Sequence, residues 1–304
     1  MHPSTFIIVN PASGSGKTGM RWSGWEAHFR TEGSVFDVGF TAEPGHASRL
    51  AREAALKGYT KIISVGGDGT FNEVLNGLIE NDRAVADVQL GVLPVGTGSD
   101  FARSLHLPKD PRKAWQHLMS GQVSPLDVGH IDTRRGDTTI THYFANVAGL
   151  GFDGEVSDRV NRSGRKSGGT IPYLSTMLAS LAKYKNKSVT VTVDDRTIEG
   201  RMNSVVVCNA KYFGGGMFIG PHADWSDGQF DVVILGDFSK LEVLANVPRL
   251  YKGTHLLHPK VTFLRGRSIR VETKDLMYLQ AEGELIGEAP TTFTMLPRLL
   301  KVLM

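Results

Sequence analysis

Short apolar runs alternate with stretches of helical periodicity over the first part of the chain. Four of the runs are short and apolar enough for buried strands. They lie at residues 6–9, 35–40, 61–65 and 89–93. Helix-like spacing of apolar residues occurs at residues 22–30, 47–56, 72–80 and 101–105. Strands that alternate with helices in this way predict a parallel α/β layer.

The pattern changes near residue 122, where β-hairpin signals replace the helical periodicity. A turn rich in Asp, Arg and Gly at residues 132–137 separates two strand-like runs, and further runs follow. The predicted strands are at residues 128–131, 139–147, 189–193, 204–208, 230–235, 261–264, 268–271 and 277–281. We therefore expect two domains, an α/β domain over residues 1–122 and a mainly antiparallel β-sandwich over residues 123–294.

A Gly-Gly-Asp-Gly turn follows the third predicted strand, at residues 66–69. Its glycines carry no Cβ to block a close ligand. Thr70 and Glu73 have the spacing of a capping box, which predicts a helix start there. Backbone N–H groups at such a start favour a phosphate, but the Asp68 carboxylate would repel it. A carboxylate at this position is compatible with a bound phosphate if it holds a metal, a nucleotide hydroxyl or the proton of an attacking alcohol. The turn therefore predicts phosphoryl transfer. A plain turn with a solvated Asp68 is the alternative.

Two further loops of the same kind follow predicted strands. The first is Asn10-Pro11-Ala12-Ser13-Gly14-Ser15-Gly16-Lys17. It is not a Walker A loop, because Pro11 stands where that motif needs glycine. The second is Leu93-Pro94-Val95-Gly96-Thr97-Gly98-Ser99-Asp100. Ser99 is a predicted N-cap, and Asp100 is either a second site carboxylate or an exposed acid at a helix start. Loops after parallel strands gather at one edge of the sheet, so we expect one site.

Composition and charge fit a two-domain globular enzyme. The chain has 304 residues, of which 40% are hydrophobic and 21% are charged, and its formal net charge is +3. This charge is too small to indicate a nucleic-acid partner. The sequence enters a predicted strand without a signal peptide, and no apolar stretch reaches the ~20 residues of a membrane span. We therefore expect a cytoplasmic protein whose single cysteine, Cys208, is a buried core residue.

Three segments together resemble the signatures of the diacylglycerol-kinase-like lipid kinases, a group with soluble bacterial diacylglycerol kinases and the sphingosine and ceramide kinases. They are residues 10–14 (NPASG), 66–73 (GGDGTFNE) and 94–103 (PVGTGSDFAR). The resemblance continues at residues 41–47, 149–153, 209–217 and 221–228, and so covers nearly the whole chain. It implies the NAD-kinase/diacylglycerol-kinase-like arrangement of an α/β domain and a β-sandwich, with residues 295–304 returning to the first domain.

The resemblance implies ATP as the phosphate donor, with its phosphates on the backbone of residues 67–70. Mg²⁺ would bridge the phosphates and Asp68, with Asp100 near the metal or its waters. The residues implied to contact the nucleotide are Asn10, Pro11, Ala12, Ser13, Gly14, Thr41, Gly66, Gly67, Gly69, Thr70, Asn72, Glu73, Gly96 and Thr97.

A second metal site is implied at residues 224–229. In similar bacterial kinases this loop binds a structural Mg²⁺ through one carboxylate and neighbouring main-chain carbonyls. Here the carboxylate is Asp227, with carbonyls from Asp224 and Gln229. The alternative is an Asp-Gly turn that precedes a strand.

The general base is expected in residues 280–284 (QAEGE), which align with the family's Asp-Gly-Glu element. Glu284 is the acid implied to activate the lipid hydroxyl. Glu282 stands where the family has Asp, and Ser99 stands where it has Asn. Asp68 and Asp100 complete the implied catalytic set.

The resemblance therefore predicts an ATP-dependent lipid kinase, with diacylglycerol as the default acceptor and phosphatidic acid as its product. Sphingoid bases, ceramide, monoacylglycerol and phosphatidylglycerol stay open as acceptors. It implies transient peripheral contact with the inner face of the membrane, where the lipid substrate lies, and it leaves a homodimer open. One alternative is a soluble kinase of the NAD kinase type, which shares the Gly-Gly-Asp-Gly turn. The other is a non-enzymatic protein that binds nucleotide or lipid. Residues 94–103 and 214–217 argue against the first, and the retained acids argue against the second.

Overall fold

The first part of the chain folds into a parallel sheet packed with helices, as the alternating pattern predicts. The computed structural model describes residues 4–96, 98–162 and 170–304, with the backbone alone at 160–162 and 170–176. The elements of this layer are β1 Thr5–Val9, α1 Lys17–Thr31, β2 Phe36–Phe40, α2 His46–Leu56, β3 Lys61–Gly66, α3 Asp68–Gly77, β4 Ile79–Glu80, β5 Arg83–Ala84, β6 Gln89–Pro94, α4 Asp100–Ser104 and α5 Pro111–Met119. The order β2–β1–β3–β6 is parallel throughout, and β4 and β5 form a separate hairpin.

The second part of the chain consists mainly of antiparallel strands. Its elements are β7 Val123–Arg135, β8 Thr138–Phe144, β9 Val147–Gly151, α6 Phe152–Arg162, α7 Thr170–Lys183, β10 Lys187–Val193, β11 Arg196–Met202, β12 Ser204–Cys208, β13 Phe230–Leu235, α8 Lys240–Lys252, a 3-10 turn at His255–Leu257, β14 Val261–Gly266, β15 Ser268–Thr273, β16 Tyr278–Ala281 and β17 Glu284–Leu303. β7 and β8 form the predicted hairpin. The predicted fold class, an α/β domain followed by an antiparallel β-sandwich, is confirmed.

Among the described helices, none has the length and apolar character needed to cross a bilayer.

The long strand β17 connects the two parts. It pairs antiparallel with β16, β15 and β7, and its last residues run parallel to β6, with Lys301 opposite Gln89. The predicted division after residue 122 falls directly before β7, whose Val123 pairs with Leu303 at the end of β17. Within the described residues, the two parts therefore share one continuous sheet of 15 strands.

Each part has its own apolar core. In the first core, a parallel sheet is covered on both faces, which is why the sequences of β1, β3 and β6 are continuously apolar. Ile7, Ile63 and Leu90 in these strands are fully buried. In the second core the ring of Phe144 stacks on that of Phe230, with 5.6 Å between the ring centroids. These cores hold the strand ends, and the loops that follow them, in place.

Candidate active site

Three strand-to-helix loops meet at the carboxyl edge of the parallel sheet. They follow β1, β3 and β6, which lie side by side in the order β6–β3–β1. Together with residues after β2 and the turn between β16 and β17, they line one open cleft. The convergence expected from the three glycine-rich loops is observed, because the loops after parallel strands lie at the same edge.

Most of the residues expected to contact the nucleotide line this cleft. They are Asn10, Pro11, Ala12, Ser13, Gly14, Thr41, Gly67, Gly69, Thr70, Glu73 and Gly96. Asn72 does not line it, since it is buried and its Nδ2 donates to the Tyr143 carbonyl oxygen at 3.0 Å, tying α3 to β8. Gly66 lies beneath Thr70, whose side chain occupies the space a Cβ would need. Thr97 lies outside the described residues.

The helix after β3 begins earlier than the capping-box pattern predicts. α3 starts at Asp68, and its N-cap residue is Gly67, which has no side chain to cap the helix. Thr70 Oγ1 instead accepts a hydrogen bond from Asn10 Nδ2 at 2.9 Å, and Glu73 Oε2 accepts one from the Ala47 amide at 3.1 Å. The predicted Thr70–Glu73 capping box is therefore wrong, because both side chains bind neighbouring segments. The start of α3, with its glycine N-cap, is therefore suited to an anion in the cleft.

Asp68 caps the neighbouring helix α4 across the site. Its carboxylate faces the first amides of that helix, and Oδ1 accepts from the Phe101 amide at 3.4 Å. Ser99 lies at the predicted N-cap position but does not cap with its side chain, since its Oγ donates to the Gly96 carbonyl oxygen at 3.5 Å. Burial raises the pKa of Asp68 to about 6, and the charge of Asp100 adds to this shift against the opposing effect of the amides.

Asp100 is buried, with 4% of its surface exposed, so the alternative of an exposed helix-start acid is wrong. Its Oδ2 accepts from the Gly215 amide at 2.7 Å. Its Oδ1 lies 3.8 Å from Arg103 Nε and has no hydrogen-bond partner among the described residues. Burial raises the pKa of Asp100, although the Gly215 amide and the Arg103 charge oppose the shift. The structure therefore places a second, incompletely bonded carboxyl beside Asp68.

Glu282 reaches the same cluster from the turn between β16 and β17, with a left-handed φ of 54°. Its Oε1 accepts from the Ala145 amide at 3.0 Å and the Asn146 amide at 2.7 Å, and its buried Oε2 has no partner among the described residues. Burial raises the pKa of Glu282 to about 8, and the charges of Asp68 and Asp100 add to the shift. Glu282 therefore holds its proton near pH 7.

Glu282→Gln should stabilise the protein at high pH. Folding raises the pKa of this carboxyl from 4.5 to about 8, so the folded chain binds the proton more tightly than the unfolded chain. This contribution to the free energy of unfolding is complete below about pH 4.5 and is lost as the pH rises through about 8. We expect urea unfolding of variant and wild type to agree near pH 4 and to differ near pH 9, in favour of the variant, by about 5 kcal/mol. An equal difference at both pH values would contradict the assigned shift.

Glu284 lies on the nucleotide side of the cluster. It is the exposed first residue of β17, and a Cβ added at Gly69 would lie 2.9 Å from its Oε1, so its carboxylate lies against the first turn of α3. Glu284 lines the cleft, whereas Asp100 lies behind Asp68 and Glu282 in a smaller polar chamber. The four acids predicted to be catalytic thus come together from three separate segments.

The polar chamber adjoins an apolar cavity in the second part of the chain. Asp68 and Glu282 border both cleft and chamber, while Asp153 and Phe213 border both chamber and cavity. The cavity wall comes from β12, α6, α8 and the segments around them. Its apolar lining includes Val156, Val206, Met217, Ile219, Leu235, Val243, Val247, Leu250 and Val261.

Asp153 is an acid of the site that the sequence analysis did not select. Its Oδ2 accepts from Gln280 Nε2 at 3.1 Å, and its buried Oδ1 has no partner among the described residues. Gln280 Oε1 in turn accepts from the Gly283 amide at 2.9 Å, which links Asp153 to the turn carrying Glu282. Burial raises the pKa of Asp153 to about 6. A usable signal was its place in the segment 149–153, where Gly149 leaves space for the carboxylate.

An arginine holds the loop predicted to bind a second metal. Arg265 forms ion pairs with Asp227 and, at 3.0 Å, with Asp231. Asp227 Oδ1 accepts from the Gln229 amide at 3.0 Å, and Asp224 Oδ1 accepts from the amide two residues further on. Across the described ranges, no group of three or more His, Cys, Asp or Glu side chains is placed to hold a metal ion. Metal binding by Asp224, Asp227 and Gln229 stays a prediction, with Arg265 supplying positive charge at this loop.

Both parts of the chain match known families. Residues 4–131 match the diacylglycerol kinase catalytic domain, and residues 146–304 match the YegS C-terminal NAD kinase beta sandwich-like domain. A diacylglycerol kinase of Mycobacterium tuberculosis (strain CDC 1551 / Oshkosh) is 31% identical to this chain, over 97% of this chain and 93% of the relative. The chain belongs to the diacylglycerol kinase family. A diacylglycerol kinase of Bacillus subtilis (strain 168) is 30% identical to this kinase, over 98% of this chain and 95% of the relative.

Solved structures share the fold of this kinase. A crystal structure of a diacylglycerol kinase from Bacillus anthracis str. Sterne has a TM-score of 0.70 at 21% identity, over 98% of this chain and 96% of that one. Yeast NADH kinase complexed with NADH has a TM-score of 0.50 at 11% identity, over 99% of this chain and 83% of that one. These likenesses concern the fold alone. The family, in contrast, shows that the chain is a kinase phosphotransferase and implies ATP as the phosphate donor.

Proposed function

We propose that the kinase transfers the γ-phosphate of ATP to the hydroxyl of diacylglycerol and so forms phosphatidic acid. The observation that carries this proposal is the order of three spaces: the open polar cleft, the acid-lined chamber and the apolar cavity. They suit a nucleotide, an acceptor hydroxyl and acyl chains respectively. The third space is lined mainly by apolar side chains, which suit hydrocarbon. The names of the bacterial relatives agree with this acceptor.

The start of α3 is the proposed cradle for the phosphates. Its N-cap residue is Gly67, and the macrodipole of the ten-residue helix favours negative charge there. The residues around Asn10 and Thr41 lie in the same cleft and are the proposed contacts of the nucleoside. This arrangement leaves the terminal phosphate near the acids that border the chamber.

The two neighbouring carboxylates of Asp68 and Asp100 would be favoured by a bound Mg²⁺. The charge of one carboxylate raises the pKa of the other, and Asp100 Oδ1 has no hydrogen-bond partner among the described residues. Mg²⁺ typically binds one or two carboxylates together with substrate phosphates and water. We propose that these two residues hold it, and when bound it would neutralise charge on the transferred phosphoryl group.

Glu284 is the proposed general base. A lipid hydroxyl has a pKa far above 7 and attacks slowly unless a carboxylate accepts its proton as the new P–O bond forms. Glu282 is poorly suited near pH 7, because its pKa of about 8 leaves it protonated. Glu284 lines the cleft beside the first turn of α3, so the hydroxyl must enter the cleft from the chamber to reach it.

Gly67→Val should block ATP binding and leave the fold intact. Gly67 has φ −94° and ψ −173°, an extended conformation that valine adopts, and an added Cβ would meet only the Gly96 Cα at 3.9 Å. A phosphate on the start of α3 would compete with the new side chain. We expect calorimetry to show at least about a tenfold loss of ATP affinity, with a melting temperature near that of the wild type. Gly24→Ala, in open space on α1, is the control, and unchanged affinity in Gly67→Val would exclude the cradle.

Radiolabelled ATP with a panel of lipids in mixed micelles tests the acceptor. We expect label in phosphatidic acid when diacylglycerol is present and much less with sphingoid bases, ceramide, monoacylglycerol or phosphatidylglycerol. A parallel reaction with NAD as the acceptor tests the alternative of a soluble kinase of the NAD kinase type, which the shared fold suggests. Labelled NADP, or preference for another lipid, would overturn the proposed acceptor.

A further inference from the structure

The helix α8 is apolar on two opposite faces. Val243, Val247 and Leu250 line the apolar cavity. The opposite face is exposed and is also apolar, at positions three or four residues apart, as expected for one stripe along a helix. The apolar residues on this face of the helix are Leu241, Leu244, Ala245, Pro248 and Tyr251.

The exposure of this stripe is large for apolar side chains. Leu241 is 79% exposed, Tyr251 is 49% exposed, and Leu257 in the following 3-10 turn is 84% exposed. Exposed leucines scattered singly are ordinary, but several on one helix and the next turn indicate a surface that contacts something apolar. We call Leu241, Leu244, Tyr251 and Leu257 the exposed stripe.

Basic residues accompany the exposed stripe. Residues 239–260 contain four Lys or Arg and one acidic residue. That acid, Glu242, completes the capping box of α8 and is bound by Lys260 Nζ at 2.8 Å. Arg249 and Lys252 are exposed at the last turns of the helix. Positive charge beside an apolar stripe is complementary to a leaflet that contains anionic phospholipid.

We propose that α8 and the turn after it dock the kinase on the interfacial region of an anionic phospholipid bilayer. The inference rests on the proposed lipid-kinase function, because the inner face of the docking helix is the wall of the proposed acyl cavity. A lipid leaving the bilayer at this helix would move from one apolar surface to another without its chains crossing water. The capping box at Ser239 and the left-handed Gly253 at its end hold the helix in a defined length, so both faces keep their positions.

Vesicle flotation with no ATP present tests the docking surface directly. We expect the wild type to float with phosphatidylcholine–phosphatidylglycerol vesicles and less with pure phosphatidylcholine. Leu241→Ser combined with Leu257→Ser should lower the partition coefficient at least about tenfold. Arg249→Gln combined with Lys252→Gln should lower it several-fold for the mixed vesicles only. The matched control is Met20→Ser combined with Leu56→Ser, two side chains of similar exposure (75% and 64%) in the α/β domain, which should bind like the wild type.

Activity on a water-dispersed short-chain diacylglycerol separates this inference from the proposed function. The leucine double variant should retain wild-type turnover there, because neither leucine lines the cavity. No wild-type flotation, or equal flotation of the leucine variant and wild type, would overturn the docking surface even if lipid is phosphorylated. Flotation that depends on the leucines without phosphorylation of any lipid would instead overturn the proposed function.

Discussion

Phosphoryl transfer should fall at least about a thousandfold when Asp68 is replaced by alanine or asparagine. The carboxylate lies at the border of the cleft and the chamber, where the proposed metal and the terminal phosphate meet. Burial raises the pKa of Asp68 to about 6, which means that folding favours the neutral form of this carboxyl over its charged form. The side-chain oxygen of asparagine can still accept the hydrogen bond that the Phe101 amide donates to Asp68 Oδ1. The start of α4 therefore stays capped in this variant. Label transfer from ATP to lipid in mixed micelles measures the loss.

Asp194→Asn is the matched control for this substitution. Asp194 Oδ1 also accepts hydrogen bonds from backbone amides, those of Arg267 and Ser268. Asp194 lies in the β10–β11 hairpin, away from the cleft. We expect its activity to equal that of the wild type. An Asp68→Asn variant that keeps activity within about threefold of the wild type would remove this carboxylate from the chemistry.

Glu284→Gln should lower kcat by roughly 10²–10⁴-fold, the range typical of losing a general base, with ATP binding nearly unchanged. The carboxamide has the same shape but cannot accept the proton of the lipid hydroxyl. Steady-state kinetics in mixed micelles give kcat, and calorimetry with ATP gives the affinity. The loss should therefore appear in turnover and not in nucleotide binding.

Glu282→Gln is the closest comparison, since it lies two residues away in the same turn. This substitution should lower kcat less than Glu284→Gln does. The reason is that Glu282 holds a proton near pH 7 and glutamine preserves a neutral acceptor for the Ala145 and Asn146 amides. A near-normal kcat in Glu284→Gln together with a lost kcat in Asp68→Asn would assign the base to Asp68.

Features set by short-range sequence pattern were predictable. β12 has the bounds expected from its apolar run, 204–208, because a continuous buried strand is apolar at every position. The three glycine-rich loops converge because each directly follows a strand of one parallel sheet. The pattern also identified a buried Cys208, which is the last residue of β12 and belongs to a core cluster.

Features set by contacts between distant residues were not predictable from one sequence. Asp68 caps a helix that starts 32 residues later, so Ser99, the local candidate, does not cap it with its side chain. Asn72 binds the carbonyl of Tyr143 and not the cleft, 71 residues away along the chain. The proposed acyl cavity takes its wall from elements between α6 and β14, and no local periodicity shows that their apolar faces enclose a space.

The pairing of β17 with β6 bears on how the chain folds during synthesis. Lys301 pairs with Gln89, a separation of 212 residues, and Leu303 pairs with Val123. The α/β layer that carries the phosphate cradle therefore emerges with one side of β6 unpaired, and it gains that partner only after the whole β-sandwich has been made. Contacts of such high sequence separation slow folding, and an open strand edge is prone to pair with other chains. A fragment ending near residue 131 would keep that edge permanently exposed, so aggregation of the isolated catalytic domain is the expected outcome.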